Sequence, residues 1–103
     1  MTPIEPALSP EQCAPVLRAL GEPLRLRILS ALRDQPLAVC DLSARIGAKQ
    51  YQVSRHLGAL HDLGLVRRAR DGQRVMYSLS ERVQAHGGDA ANVELGCCCV
   101  RLE

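Results

Sequence analysis

The stretch KQYQVSRHLGALHDLGLVRRARDGQRVMYSL, residues 49–79, decides the fold of this 103-residue chain. Its first half carries Val53, Leu57 and Leu60 at spacings of four and three residues, which places them on one face of a helix. Its second half holds two strand-like segments around Asp71-Gly72, a dipeptide that favours a type I′ hairpin turn because that turn needs positive φ angles. This stretch therefore predicts a helix followed by a β-hairpin whose second arm turns alternate side chains inward, namely Val75, Tyr77 and Leu79.

Three shorter helices are predicted ahead of this stretch. A capping-box pattern over residues 9–12 starts the first, which runs to about residue 20. The second opens at Pro23 and continues to residue 33, and the third spans about 40–46 before a glycine ends it. Two short helices joined by a tight turn and followed by a basic hairpin indicate a winged helix-turn-helix, so the predicted fold class is mainly α with a β-hairpin wing.

The composition limits the size and kind of core. The chain is 47% hydrophobic but has no Phe and no Trp, so the core must be aliphatic. A chain this short leaves apolar surface to cover, and we expect a homodimer to which the first helix contributes. No apolar run approaches the roughly 18 residues that a membrane span needs, and no signal-peptide pattern opens the chain. We expect a cytoplasmic protein with no membrane partner.

Positive charge is concentrated in the middle of the chain. Residues 39–79 hold seven basic and three acidic residues, a net charge of +4, whereas the whole chain carries only +2. A basic segment that coincides with a helix-turn-helix and wing matches the electrostatic footprint of double-stranded DNA. The predicted DNA-contacting residues are those on the exposed face of the last helix and on the hairpin: Lys49, Gln50, Tyr51, Ser54, Arg55, Arg68, Arg70 and Arg74.

Two residues in this region have alternative interpretations. Tyr51 could pack against the neighbouring helix instead of contacting DNA. His56 fits a hydrogen-bonded structural histidine better than a ligand. We divide the chain into a winged helix-turn-helix DNA-binding domain over residues 1–80 and a cysteine-bearing C-terminal segment over 81–103. Within that segment, residues 80–86 suit a short helical turn and 93–102 suit a strand or an irregular tail.

Four motifs, in order, make the chain resemble a known family. They are LGEPLRLRIL at 20–29, VCDL at 39–42, VSRHL at 53–57 and LGLV at 63–66. Over about residues 15–79 the chain is similar to the ArsR/SmtB family of metalloregulatory repressors, and its cysteines resemble the arsenic-responsive type. The resemblance implies a homodimeric winged-helix repressor that leaves its operator when a metal or metalloid binds.

The five cysteines, at 13, 40, 97, 98 and 99, suggest what the inducer would be. An odd number in this layout does not form a regular disulfide framework, and soft thiolates suit soft ions. Trivalent arsenic and antimony take three thiolates, whereas zinc commonly recruits four ligands that include His. The run Cys97-Cys98-Cys99 has no nearby His, so it predicts a three-coordinate metalloid site with arsenic or antimony as inducer and no organic cofactor.

The geometry of that run leaves the third ligand open. In a strand, Cys97 and Cys99 would share a face about 7 Å apart while Cys98 points away, so three sulfurs converge only if the backbone turns. The third sulfur is therefore Cys99, Cys13 or Cys40. The resemblance supports the pair in LGCC, residues 95–98, but the second cysteine that arsenic-responsive members carry one turn after Cys40 is absent. The alternative for Cys13 and Cys40 is burial as small hydrophobic residues.

Other functions compete with metalloid sensing. A thiol redox or persulfide sensor of the same fold would use the tail cysteines with each other or with Cys13. A cadmium or zinc sensor is a further alternative, because cysteine alone does not fix the ion. A thiol reductase is disfavoured, since the sequence has no Cys-x-x-Cys within alternating strands and helices. A pure protein-binding adaptor is disfavoured by the basic middle segment. We therefore expect no enzymatic activity.

Overall fold

In the part of the chain that the structure describes, four helices precede two small antiparallel sheets. A computed structural model describes residues 8–86, 90–94 and 99–102, with side chains for 8–83 and Arg101. The helices are α1 (Pro10–Ala19), α2 (Pro23–Ala31), α3 (Val39–Ile46) and α4 (Gln50–Asp62). The strands are β1 (Val66–Asp71), β2 (Arg74–Leu79), β3 (Val83–His86), β4 (Ala90–Glu94) and β5 (Cys99–Leu102). The predicted winged helix-turn-helix is confirmed, with α3 and α4 as the helix pair and β1–β2 as the wing.

Local signals fix where the helices begin and end. The backbone N–H of Gln12 donates to Ser9 Oγ at 3.3 Å and the N–H of Ser9 donates to Gln12 Oε1 at 3.0 Å, which completes the predicted capping box at α1. Gly47 follows α3 with φ +80°, a left-handed conformation that glycine adopts without steric cost. The tight turn at Gly47 is what sets α4 at its angle to α3.

The core is aliphatic, as the composition predicts. Val53, Leu57 and Leu60 are fully buried on the inner face of α4. They pack with fully buried side chains of α2, α3 and the segment after α4, namely Ile28, Leu29, Leu42 and Leu65. The predicted apolar stripe of α4 therefore faces inward, and the opposite face of that helix is left to solvent.

The wing is a two-stranded hairpin that is attached to the helical core. Tyr77 exchanges both backbone hydrogen bonds with Leu37, at 3.0 and 2.8 Å, which ties β2 to the segment that leads into α3. Tyr77 is buried and Leu79 is half-buried, but Val75 is exposed, so the predicted inward alternation is wrong at Val75. At Val75 strand β2 lies beyond the edge of the core.

The hairpin turn differs from the prediction in one detail. Asp71 pairs with Arg74, so the two loop residues are Gly72 and Gln73 rather than Asp71 and Gly72. Only Gly72 has a positive φ, +66°, which corresponds to a type II′ turn and not to type I′. Both turns suit a two-residue hairpin, so the register of the wing is unaffected.

The predicted helical turn over residues 80–86 is wrong, because Val83–His86 forms strand β3. This strand pairs with β4, which pairs with β5, in a three-stranded antiparallel sheet. Val83 is buried in the core, and its burial favours an extended chain here. No helix within the described residues is long and apolar enough to cross a bilayer.

Candidate nucleic-acid interface

The outer face of α4 carries the polar side chains that the sequence singled out. Lys49 is the N-cap residue of α4, and the other four are on the helix. All five are exposed: Lys49, Gln50, Tyr51, Ser54 and Arg55. Tyr51 is 65% exposed, so it does not pack against the neighbouring helix, and the Lys49 ammonium lies 6.0 Å from the centre of its ring. This face offers amide, hydroxyl and guanidinium groups of the kind that contact base edges and phosphates in a major groove.

A buried contact holds α4 against α2 behind that face. Arg25 Nε donates a hydrogen bond to His56 Nδ1 at 3.0 Å, and Arg25 Nη1 donates to the carbonyl oxygen of Ala19 at 3.3 Å. His56 is only 8% exposed. Burial lowers the pKa of His56, and the positive charges of Arg25 and Arg55 lower it further, against an opposing effect of Glu22. The prediction of a hydrogen-bonded structural histidine is confirmed.

A second polar contact joins the wing to α3. Arg74 Nη2 lies 2.7 Å from Asp41 Oδ2 in a salt bridge, and the same oxygen accepts from the backbone N–H of Ala38 at 3.1 Å. Asp41 therefore caps the start of α3 and also binds Arg74, the first residue of β2 after the hairpin turn. Its negative charge raises the pKa of Arg74, with a smaller contribution from Cys40. The guanidinium of Arg74 is thus already paired with a carboxylate of the protein.

The other two predicted wing arginines have no such partner. Arg68 and Arg70 are exposed on β1, and neither forms a salt bridge within the described part of the chain. Their neighbour Arg67 pairs with Glu81 instead. Arg68 and Arg70 are therefore the wing side chains best placed for phosphate contacts, while Arg74 chiefly positions the wing.

The structure separates the cysteines that it describes. Cys40 is an exposed free thiol on α3, with its sulfur 3.5 Å from Arg74 Nη2 and 3.9 Å from Asp41 Oδ1. The alternative of a buried Cys40 is wrong. Cys13 is 2% exposed in the core and is disulfide-bonded.

The structure describes only one of the three proposed tail ligands, and that one without its side chain. Cys97 and Cys98 lie outside the described residues, and Cys99 opens β5 without a described side chain. Among the described residues, no three side chains of His, Cys, Asp or Glu converge on one point. Cys40 alone therefore does not provide a three-thiolate site, and the metalloid prediction rests on the tail.

Two structural partners were not identified from sequence. Arg25 and Asp41 both lie in motifs that were recognised, LGEPLRLRIL and VCDL, but neither was assigned a role. A basic residue two positions after a helix-opening proline and an acidic residue in the first turn of a helix are common features, so neither pattern indicates a tertiary partner. Arg25 contacts His56, which is 31 residues away in the sequence, and Asp41 contacts Arg74, which is 33 residues away.

The comparisons with known proteins agree with this architecture. Residues 22–68 match the model of the bacterial regulatory protein, arsR family. The chain is 48% identical over 68 residues to the HTH-type transcriptional regulator NmtR of Mycobacterium tuberculosis, an alignment that covers 66% of this chain and 57% of that protein. The chain thus spans little more than half of that relative's length.

Solved structures extend the comparison to the fold. Reduced HlyU from Vibrio cholerae superposes with a TM-score of 0.64 at 37% identity, covering 69% of this chain and 75% of that one. A homodimeric winged helix-turn-helix DNA-binding domain from Mycobacterium bovis superposes with a TM-score of 0.63 at 35% identity, over 67% of this chain and 64% of that one. The fold and these matches define a winged helix-turn-helix protein. The chain belongs to the arsR family of bacterial regulatory proteins.

Proposed function

We propose that this protein is a homodimeric repressor that binds a two-fold symmetric operator. The exposed polar face of α4, with Tyr51 and Arg55 directed to solvent, is the observation that carries the proposal. A dimer would present two such helices to successive major grooves, while Arg68 and Arg70 on each wing contact the flanking backbone. The Arg25–His56 and Asp41–Arg74 contacts would hold α4 and the wing in the orientation that this requires.

Release from the operator follows, in this proposal, from trivalent arsenic or antimony bound by the tail. Cys97 and Cys98 would supply two thiolates, and Cys99, Cys13 or Cys40 the third; Cys13 would do so only after reduction of its disulfide. A three-coordinate metalloid needs no imidazole, which suits a cysteine run without a nearby His. Binding must favour a conformation that does not fit the operator, because a ligand shifts an equilibrium only through its different affinities for the two states.

The test is a titration of the operator complex. Fluorescence anisotropy with a labelled promoter fragment measures release as arsenite, antimonite, cadmium and zinc are added in separate experiments under reducing conditions. Arsenite or antimonite should release the parent protein, and Cys97→Ser and Cys98→Ser should each abolish release while leaving operator affinity unchanged. Release by cadmium or zinc alone would reassign the inducer. If arsenite still releases both serine variants from the operator, the tail is not the sensing site.

A thiol redox sensor is the second candidate, and one observation favours it. Cys13 is disulfide-bonded, while Cys40 is a free thiol. The remaining cysteines of the sequence are Cys97, Cys98 and Cys99, so this candidate pairs Cys13 with the tail. Formation of that bond by a peroxide or a disulfide oxidant would remove two thiol protons and two electrons, with the oxidant reduced in balance.

The two candidates predict different responses. Under the redox candidate, hydrogen peroxide releases the operator, dithiothreitol restores binding, and Cys13→Ser is unresponsive. Under the metalloid candidate, Cys13→Ser still responds to arsenite if Cys99 is the third ligand. Mass spectrometry of the non-reduced, protease-digested protein identifies the pairing directly. The absence of a peptide crosslinked through Cys13 after peroxide treatment would exclude the redox candidate.

A further inference from the structure

A surface cavity between α2 and α3 lies apart from the proposed reading face of α4 and has no role so far. Its volume is about 420 Å³, and its charged lining consists of Arg27, Arg33 and Arg45 with Asp34. Three guanidinium groups against one carboxylate give this cavity a net positive charge. A group of positive charges such as this attracts anions.

Within the described part of the chain, the arginines of this cavity form no salt bridge. Among the residues that the structure describes, none of Arg27, Arg33 and Arg45 has a carboxylate oxygen within 4.0 Å. Arg33 Nε donates to the carbonyl oxygen of Ser30 at 3.1 Å, which fixes the guanidinium plane. Arg33 Nη1 is buried and has no hydrogen-bond partner among the residues that the structure describes. A buried N–H without an acceptor is rare in native proteins and indicates a missing acceptor.

From this arrangement we propose that the α2–α3 cavity binds a phosphate-type oxyanion. A guanidinium presents parallel N–H donors that match the spacing of two phosphate oxygens. Arg33, held by Ser30, would supply the fixed donor, and Arg27 and Arg45 would close around the anion from α2 and α3. Asp34 limits the affinity through repulsion of the same anion.

Two sources could supply this oxyanion. The first is free inorganic phosphate or a small phosphorylated compound. The second, which depends on the proposed DNA-binding function, is a backbone phosphate of the bound operator. Arg45 precedes Lys49, the N-cap of α4, by four residues, so their Cα atoms are at most about 14 Å apart. That distance lets a duplex seated on α4 bring a backbone phosphate near the cavity.

The first arm of the test uses the protein without DNA. Inorganic phosphate is titrated against sodium chloride at equal ionic strength, and the Nε–Hε resonance of Arg33 is followed by NMR. A saturable shift with phosphate only is the expected result. The double variant Arg27→Gln/Arg45→Gln should lose it, and Asp34→Asn should tighten it. The double variant Arg67→Gln/Arg68→Gln, which changes two exposed arginines of the wing, removes the same two charges and should retain it.

The second arm measures operator affinity in phosphate-free buffer over a range of salt concentrations. If the operator supplies the oxyanion, the double variant binds more weakly and the salt dependence flattens by about two phosphate contacts. If free phosphate is the ligand, the double variant binds the operator as the parent does. The proposal is overturned if phosphate produces no saturable shift and the double variant leaves the salt dependence unchanged. Failure of operator binding by the parent would affect only the second arm.

Discussion

Arg25 on α2 and His56 on α4 are joined by a hydrogen bond of 3.0 Å from Nε to Nδ1. Because Nδ1 accepts, the imidazole is neutral and its proton lies on Nε2. Protonation of Nδ1 would replace this bond with the repulsion of two cations in a buried place. The packing of α4, which carries the proposed reading face, is therefore linked to the protonation state of one histidine.

The first prediction concerns pH. The pKa of His56 is lowered from its ordinary 6.5, chiefly by burial and then by Arg25 and Arg55, while Glu22 opposes them. The unfolded chain therefore binds the proton more readily than the native state does. The free energy of unfolding should be highest above pH 6.5 and should decline as the pH falls below it. Urea unfolding at a series of pH values measures this decline.

A matched pair of variants assigns the effect. His56→Gln should unfold with a smaller pH dependence, even if its stability at neutral pH is lower. His61→Gln, at a half-buried position on the same helix, should keep the parent's pH dependence. If both variants show the same pH dependence as the parent, His56 does not set it.

The second prediction separates the arginines that face DNA from those that hold the wing. Arg55→Ala should weaken operator binding, and Arg70→Ala should flatten its salt dependence by about one phosphate contact. Arg74→Ala should change that slope less, because Arg74 is paired with Asp41 at 2.7 Å. Anisotropy titrations at several salt concentrations give the slopes.

Arg67→Ala is the control for this comparison, since Arg67 lies on the same strand as Arg70 but is paired with Glu81. Its slope should match that of the parent. An Arg70→Ala slope equal to the parent's would place the wing away from the backbone. A larger effect of Arg74→Ala than of Arg70→Ala would mean that the Asp41 contact opens on binding.

The sequence was sufficient for features that depend on short-range patterns. The capping box at Ser9, the stripe of Val53, Leu57 and Leu60, and the hairpin at Gly72 all follow from neighbouring residues. The exposed face of α4 follows from the same stripe.

The features that the sequence did not predict depend on distant contacts. Strand β3 was mistaken for a helical turn because four residues carry little periodicity, and its pairing with β4 decides its conformation. The Asp41–Arg74 bridge joins residues 33 apart, and no local pattern indicates it. Whether Cys40 is exposed was left open for the same reason, since its exposure depends on how α3 docks on α2 and α4.

The third prediction concerns the interior. Leu57 is fully buried on the inner face of α4, so Leu57→Ala should reduce the free energy of unfolding by about 2–5 kcal/mol. The proposed operator binding would then be lost in proportion to the unfolded fraction. Chemical denaturation followed by circular dichroism measures the loss. Ala59→Gly, a half-buried position on the same helix, should cost only about 1 kcal/mol through helix propensity; equal losses at both sites would contradict a core role for Leu57.

The fourth prediction concerns the dimer. Leu17 is a large apolar residue that α1 leaves 41% exposed, whereas its neighbour Val16 is buried in the core. A dimer that uses α1 would cover Leu17, so Leu17→Glu should shift sedimentation at micromolar concentration from dimer toward monomer without unfolding the chain. Arg18→Gln, also at an exposed position on α1, lowers the net charge by the same one unit and should leave the dimer intact. A parent protein that sediments as a monomer would refute the dimer itself.

The last prediction asks whether α3 takes part in sensing. Cys40 is exposed, but the polar groups described beside its sulfur are a guanidinium nitrogen at 3.5 Å and a carboxylate oxygen at 3.9 Å, and no second sulfur is described there. One thiol without a neighbouring sulfur does not supply the several thiolates that a trivalent metalloid takes. Cys40→Ser should therefore keep both operator affinity and the arsenite midpoint of the parent, measured by anisotropy under reducing conditions. Serine preserves the size and polarity of the side chain, so the contacts of Arg74 should survive. A variant that binds the operator normally but no longer responds to arsenite would make Cys40 the third ligand and would bring α3 into the sensing site.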